Sequence, residues 1–177
     1  DDMTTRPKPR VEVVEARSPE QIAAFADLVR SFVAWCRARY ADRPWAVDTY
    51  FQPAALEKEL AALDAKYAPP NGALLLALVV GVPAGCIASR ALDHRTCEMK
   101  RLFVGEAHRG FGLGERLTSV LIGLARTYGF TAIRLEVGDK QPEAQALYRS
   151  LGFREIAAYY DAPADLLPYL TFMELKL

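Results

Sequence analysis

The chain has 177 residues, 51% of them hydrophobic and 25% charged, which suits one globular domain with a sizeable core and excludes a disordered or fibrous chain. Its 22 Lys and Arg balance 22 Asp and Glu, so no whole-molecule field draws it onto nucleic acid or an anionic membrane. Three cysteines (Cys36, Cys86, Cys97) without C-x-x-C spacing and two histidines (His94, His108) give neither a disulfide framework nor a zinc pattern, and no metal is expected.

Residues 1–10 are polar, with two prolines, and read as a disordered tail before a domain over 11–177. They lack the apolar stretch of a signal peptide. The longest apolar run, Ala73–Val80, is too short to span a bilayer. A cytoplasmic protein with no membrane partner is expected. Val11–Glu15 is a strand candidate. Ser18-Pro19-Glu20-Gln21 reads as a helix start: Ser18 caps, Pro19 suits the first helical position and Gln21 closes a capping box. Ile22, Phe25, Val29, Phe32, Val33 and Cys36 follow at helical spacing, to about Tyr40. A weaker helix covers residues 53–65. Pro69-Pro70-Asn71-Gly72 breaks the chain.

Three strands follow, Ala73–Val80, Ala84–Leu92 and Cys97–Val104, with connections so short that they must be antiparallel. A helix after the next glycines carries Leu117, Val120, Leu121, Leu124 and Tyr128 on one stripe and closes at Gly129. Ile133–Val137 alternates as a strand. Pro142 opens a helix with Ala144, Leu147, Tyr148 and Leu151 on its stripe, ended by Gly152. Phe153–Ala158 and Leu170–Leu177 are the final strands. This order predicts an α/β fold, one mixed sheet of about seven strands flanked by helices, with the Cys97–Val137 strand–helix–strand unit parallel.

Between strand and helix lies Arg109-Gly110-Phe111-Gly112-Leu113-Gly114. Glycines let backbone approach a ligand, and the free N–H groups at a helix start favour phosphate. Arg109 adds charge at the rim. A plain turn needs fewer glycines. A dinucleotide fingerprint wants G-x-G-x-x-G and an acid about 20 residues on. Here Gly114 arrives one residue early, Leu117 replaces the glycine in the other frame, and too little chain follows Glu136 for that fold. The third reading is a coenzyme A pyrophosphate site.

The segment fits R-x-x-G-x-G and so resembles the acyl-CoA signature of the GNAT superfamily of N-acetyltransferases. Ala144-Gln145-Ala146-Leu147-Tyr148-Arg149-Ser150-Leu151-Gly152-Phe153 is similar to that family's A-x-x-L-Y-x-x-x-G-F segment, at the expected distance downstream. The resemblance covers Ala73 to Ala158 and implies the GNAT fold, with acetyl-CoA as co-substrate. It implies that Leu102, Phe103 and Val104 pair with the pantetheine arm, that a free N–H near Leu102 polarises the thioester carbonyl, and that the backbone of Arg109, Gly110, Phe111, Gly112, Leu113 and Gly114 holds the pyrophosphate. Gln141 stands where many members carry a cofactor-contacting Asn.

An alkylamine, with a pKa of about 10, must lose a proton before attacking, and the departing thiolate gains from receiving one. The resemblance gives Tyr148 as the acid, since the matching tyrosine faces the cofactor sulfur; the alternative is packing on its helix stripe. Glu98 is the base candidate, eleven residues ahead of Arg109, or else a strand residue paired with Lys100 or Arg134. His94 and Glu136 are further candidates. Tyr40, Trp45, Tyr50 and Phe51 line an acceptor pocket or close a loop; Tyr159, Tyr160 and Tyr169 give an opposite wall. Lys100 and Arg101 bind an acceptor carboxylate or are plain strand charges. The expected activity is transfer of acetyl to a primary amine, of a small molecule rather than a protein N-terminus or lysine; a non-catalytic acyl-CoA-binding regulatory module is the other alternative. A homodimer is compatible with the sequence.

Overall fold

The capping box forms as the sequence predicts: the Gln21 N–H donates to Ser18 Oγ at 3.1 Å, and the Ser18 N–H donates to Gln21 Oε1 at 3.1 Å. The structure, a computed structural model, describes residues 7–177, so most of the expected tail lies outside the described residues. In chain order the elements are β1 (Val11–Glu15), α1 (Pro19–Arg39), α2 (Pro44–Phe51), α3 (Pro53–Leu60), α4 (Leu63–Lys66), β2 (Gly72–Val79), β3 (Val82–Ala91), β4 (Thr96–Val104), α5 (Leu113–Thr127), β5 (Ala132–Gly138), α6 (Pro142–Ser150), β6 (Arg154–Ile156) and β7 (Leu170–Lys176).

One sheet of seven strands runs in the order β1-β2-β3-β4-β5-β7-β6. The β4–β5 pairing is parallel and the others antiparallel. The two early glycine stops hold: Gly129 and Gly152 take φ of 88° and 98° just past their helices, a region that side chains with a Cβ disfavour.

The structure departs from the sequence reading in three places. The helix over 53–65 is two pieces, because the chain turns at Ala61 and Ala62 before α4. An additional helix, α2, precedes it. Pro44 starts it and Gln52, at φ 44°, ends it, while Ala46, Val47 and Phe51 are buried beneath it. The strand expected over 153–158 is shorter, Arg154–Ile156.

The sheet divides the core. Leu75, Ala77, Ile87, Cys97, Ile133 and Leu135 pack on one face against Leu117 and Leu121 of α5. Leu74, Leu76, Cys86 and Ala88 pack on the other against Phe25 and Val29 of α1. Helices on both faces explain why β2 is apolar throughout.

The sheet opens at its centre. β4 and β5 are in register only at Thr96↔Ala132, Cys97↔Ile133 and Glu98↔Arg134. Beyond Glu98 they part, β4 staying with β3 as far as Val104 and β5 staying with β7 as far as Gly138. A bulge bends β4 at the parting: Cys86 faces Phe103 and Ala88 faces Lys100, so Arg101 and Leu102 share one partner position. Arg101 takes φ 63°, a conformation uncommon for a residue with a Cβ, and bulges of this kind re-aim a strand next to a site.

Candidate active site

The opening between β4 and β5 continues into a cleft of about 430 Å³, lined from α1, α2, β4, β5 and α6. The glycine loop lies at one end. Gly110 and Gly112 take φ of 87° and 73°, and a Cβ on either would meet nothing within 4 Å. The requirement for glycine there is therefore conformational, not a matter of room. Gly112 is the N-cap of α5, and no side chain bonds to that helix start. Its first N–H groups are thus left for a ligand or solvent. The Arg109 Nε donates to the Val104 carbonyl at 3.3 Å, and its guanidinium lies 5.5 Å from the Trp35 ring centre.

Of the expected cofactor residues, Leu102, Phe103, Val104, Arg109, Gly114 and Gln141 line the cleft. Gly110, Phe111 and Gly112 form the exposed loop before α5, whereas Leu113, the first residue of α5, is buried in the core. Gln141 Oε1 accepts from the Gly138 N–H at 3.3 Å, so this side chain also ties down the end of β5.

Tyr148 reaches the cleft from α6 and is 7% exposed. Its ring packs on Phe153 at 5.7 Å, and its hydroxyl bonds to no protein group among the described residues. Burial pushes its pKa up, so it holds its proton at neutral pH. Packing and an available donor coexist in this one residue.

Glu98 lines the cleft but is heavily engaged. Its carboxylate accepts from Arg90 Nε at 3.1 Å and from the Tyr159 hydroxyl at 2.6 Å, and Lys100 Nζ stands at 3.6 Å. Burial would raise its pKa, but Lys100, Tyr159 and Arg90 together bring it below the usual carboxylate value. Glu136, on the facing strand, also lines the cleft. It accepts from the Tyr160 hydroxyl, the Tyr50 hydroxyl lies close enough to interact with it, and no cation forms a salt bridge with it among the described residues. His94 lies in the exposed turn between β3 and β4, away from the cleft.

Tyr40, Tyr50, Phe51 and Tyr169 line the cleft as the acceptor-pocket reading expects. Trp45 instead sits outside it, edge-on to Tyr169 with ring centres 6.1 Å apart. Tyr159 and Tyr160 act from behind the wall, through Glu98 and Glu136. Sequence reasoning missed Glu59. This residue, 9% exposed on α3, accepts from Arg101 Nε at 3.0 Å and from its terminal nitrogen at 3.3 Å, and also pairs with Lys66. The bulge residue is thereby anchored from 42 positions away.

The model of the Acetyltransferase (GNAT) family matches residues 26–153. The chain belongs to the GNAT acetyltransferase family. It is 29% identical to an uncharacterized N-acetyltransferase of Schizosaccharomyces pombe over 169 residues, 94% of this chain and 95% of that protein. It is 30% identical to the N-acetylaspartate synthetase of Danio rerio over 109 residues, 60% of this chain but 39% of that protein. Solved GNAT-type structures share the fold. An acetyltransferase from Streptococcus agalactiae superposes with a TM-score of 0.73 at 22% identity, covering 94% of this chain and 98% of that one. The PaiA N-acetyltransferase of Thermoplasma acidophilum in complex with coenzyme A gives 0.69 at 17% identity, covering 95% and 99%. The chain is thus a GNAT acetyltransferase, in which residues of the glycine loop and Tyr148 of α6 border the opening between the parted strands.

Proposed function

We propose that this acetyltransferase moves the acetyl group of acetyl-CoA to the primary amine of a small molecule by direct attack. The observation that carries the reading is the parting of β4 and β5 beyond Glu98, with the uncapped start of α5 at one end and the free hydroxyl of Tyr148 alongside. The residues present fit acetyl-CoA. The exposed backbone edge of Leu102 to Val104 suits a pantetheine arm, the N–H groups of Arg109 to Gly114 suit the pyrophosphate, and Gln141 lies within reach of the cleft. Acetyl-CoA supplies the activated acyl group. A backbone N–H at the bulge stabilises charge on the acyl oxygen, and Tyr148 gives its proton to the departing sulfur.

The base is better assigned to Glu136 than to Glu98. Glu98 is committed to Arg90, Lys100 and Tyr159, and taking a proton would break those contacts. Glu136 feels the charge of Lys100 on the facing strand but forms no salt bridge among the described residues, so it is available to the acceptor ammonium. Cys36 lines the cleft, but burial pushes its thiol up to about 12. It stays protonated at neutral pH, which favours direct attack over an acyl-enzyme.

A small acceptor is favoured because the far end of the cleft is strapped. Arg43, in the α1–α2 turn, stacks 3.9 Å from the centre of the Tyr169 ring and bonds to Asp139 at 2.6 Å. Lys140 pairs with Asp42 across the same seam. An extended peptide would need that seam open. The test is release of free thiol from acetyl-CoA with a panel of small amines set against peptides bearing a free N-terminus or a lysine. Turnover with small amines supports the reading. Turnover with peptides alone transfers it to protein acetylation, and acetyl-CoA binding without turnover of any acceptor makes the chain a regulatory module.

A further inference from the structure

Two cations face the acceptor end of the cleft with donors to spare. Lys100, on β4, has 16% of its side chain exposed and stands 3.6 Å from Glu98, beyond hydrogen-bond range. Among the described residues its ammonium, with three donors, makes no hydrogen bond. Burial pushes its pKa down, against the pull of Glu98 and Glu136. Arg101 gives Nε and one terminal nitrogen to Glu59. Its other terminal nitrogen bonds to nothing among the described residues, and the side chain lines the same cleft.

The nearby carboxylates do not use up these donors. Glu98 is shared with Arg90 and Tyr159, and Glu59 with Lys66 and Tyr67. A cleft that keeps cationic donors with spare hydrogen-bonding capacity next to open space is suited to an anion. The sheet register gives that anion a place relative to the amine. Glu98 and Arg134 face each other. Two residues further along the parted strands come Lys100 and Glu136, on the same sheet face because strand side chains alternate. A cation and a carboxylate thus look into the opening side by side.

We propose that Lys100 and Arg101 form a carboxylate subsite of the acceptor pocket, so that the acceptors are amines carrying a carboxylate a few bonds from the reacting nitrogen, as in an amino acid. This inference rests on the acetyl-transfer reading above and specifies its substrate class. The acceptor ammonium lies toward Glu136 and its carboxylate toward Lys100, matching each charge of the zwitterion. Arg101 is the secondary partner, since its bidentate pair with Glu59 fixes where its free nitrogen sits. A site built to bond a charged group discriminates strongly against an analogue that leaves the site's own groups unpaired.

The test uses the full chain, acetyl-CoA and free-thiol release with a panel of amino acids. Each is compared with its carboxamide and with the amine lacking the carboxyl group. The carboxylate is expected to exceed both neutral forms in kcat/KM by on the order of 10- to 100-fold, mostly through KM. Lys100→Met, which keeps the length of the chain and its burial, is expected to bring that ratio close to one, and Lys100→Arg to retain most of it. Should Lys100→Met fail to fold, calorimetry on the wild-type protein with coenzyme A decides. The N-acetylated amino acid is expected to bind at least about 10-fold more tightly than its N-acetylated carboxamide. Equal use of the carboxylate and neutral forms, equal binding of the two products, or a ratio unchanged in Lys100→Met overturns the subsite while leaving acetyl transfer intact. Absence of thiol release with every amine, neutral ones included, sinks the acetyl-transfer reading and this inference with it.

Discussion

Replacing Glu59 with Gln should uncouple the bulge of β4 from α3. Glu59 is 9% exposed and faces Arg101, whose side chain is 8% exposed. Burial would raise the Glu59 pKa, but Arg101 and Lys66 lower it to about 2 from an ordinary 4.5. A difference of that size corresponds to about 3 kcal/mol, and solvent reaching the Lys66 side trims it to about 2 kcal/mol. Glu59→Gln also leaves the Arg101 charge buried without its partner, a change that costs about 3–5 kcal/mol when burial is complete. A loss of about 2–4 kcal/mol at pH 7 is expected. The carboxylate has a lower pKa folded than unfolded, so its contribution is full above about pH 4.5 and fades as pH falls through about 2. Urea unfolding of wild type and Glu59→Gln from pH 7 down to pH 3 measures this. The gap in stability should be widest at neutral pH and shrink at the acid end. A gap below about 1 kcal/mol at pH 7, or one that does not narrow with acid, refutes the reasoning.

Tyr148→Phe keeps the ring on Phe153 and removes the phenol proton at the cleft; folding should survive, and turnover should fall by on the order of 10- to 1000-fold. Unchanged turnover, with chemistry shown to limit the rate, leaves Tyr148 as a packing residue. Glu136→Gln should lower the rate at neutral pH with partial recovery as pH rises toward the acceptor's own pKa, since more amine is then already deprotonated. Glu98→Gln should lose stability through Arg90 and Lys100 but keep the wild-type shape of its pH–rate profile. If the Glu98 variant shows the alkaline recovery and the Glu136 variant does not, the two roles are exchanged.

The parts of the fold that local chemistry decides were legible in the sequence. Ser18 and Gln21 announced the start of α1, Gly129 and Gly152 the ends of α5 and α6, and short connections the antiparallel β2–β3–β4 meander. The glycine loop and the Ala144–Phe153 segment pointed to two stretches that contribute residues to the cleft. Non-local pairings were not legible. Nothing in the sequence near Arg101 marks a bulge, because its anchor, Glu59, lies on another element. Glu98 read as a base from its strand position, with Lys100 as a neighbour. Its engagement by Arg90 comes from the adjacent strand and that by Tyr159 from the loop before β7, and both depend on tertiary packing. Helix α2 escaped notice because eight residues hold too little periodicity, and its aromatic side chains suggested a pocket wall instead.

The central claim is that the parted strands and the glycine loop form an acetyl-CoA site. Titration calorimetry of the full chain with acetyl-CoA, repeated with NAD and with a Gly112→Val variant, addresses it directly. Gly112 takes φ 73° at the start of α5, where valine is strained and turns the first N–H groups out of line. The account predicts one acetyl-CoA per chain, no heat with NAD, and loss of acetyl-CoA binding in a Gly112→Val protein that still folds. Binding of NAD without acetyl-CoA, or undiminished acetyl-CoA affinity in folded Gly112→Val, contradicts it.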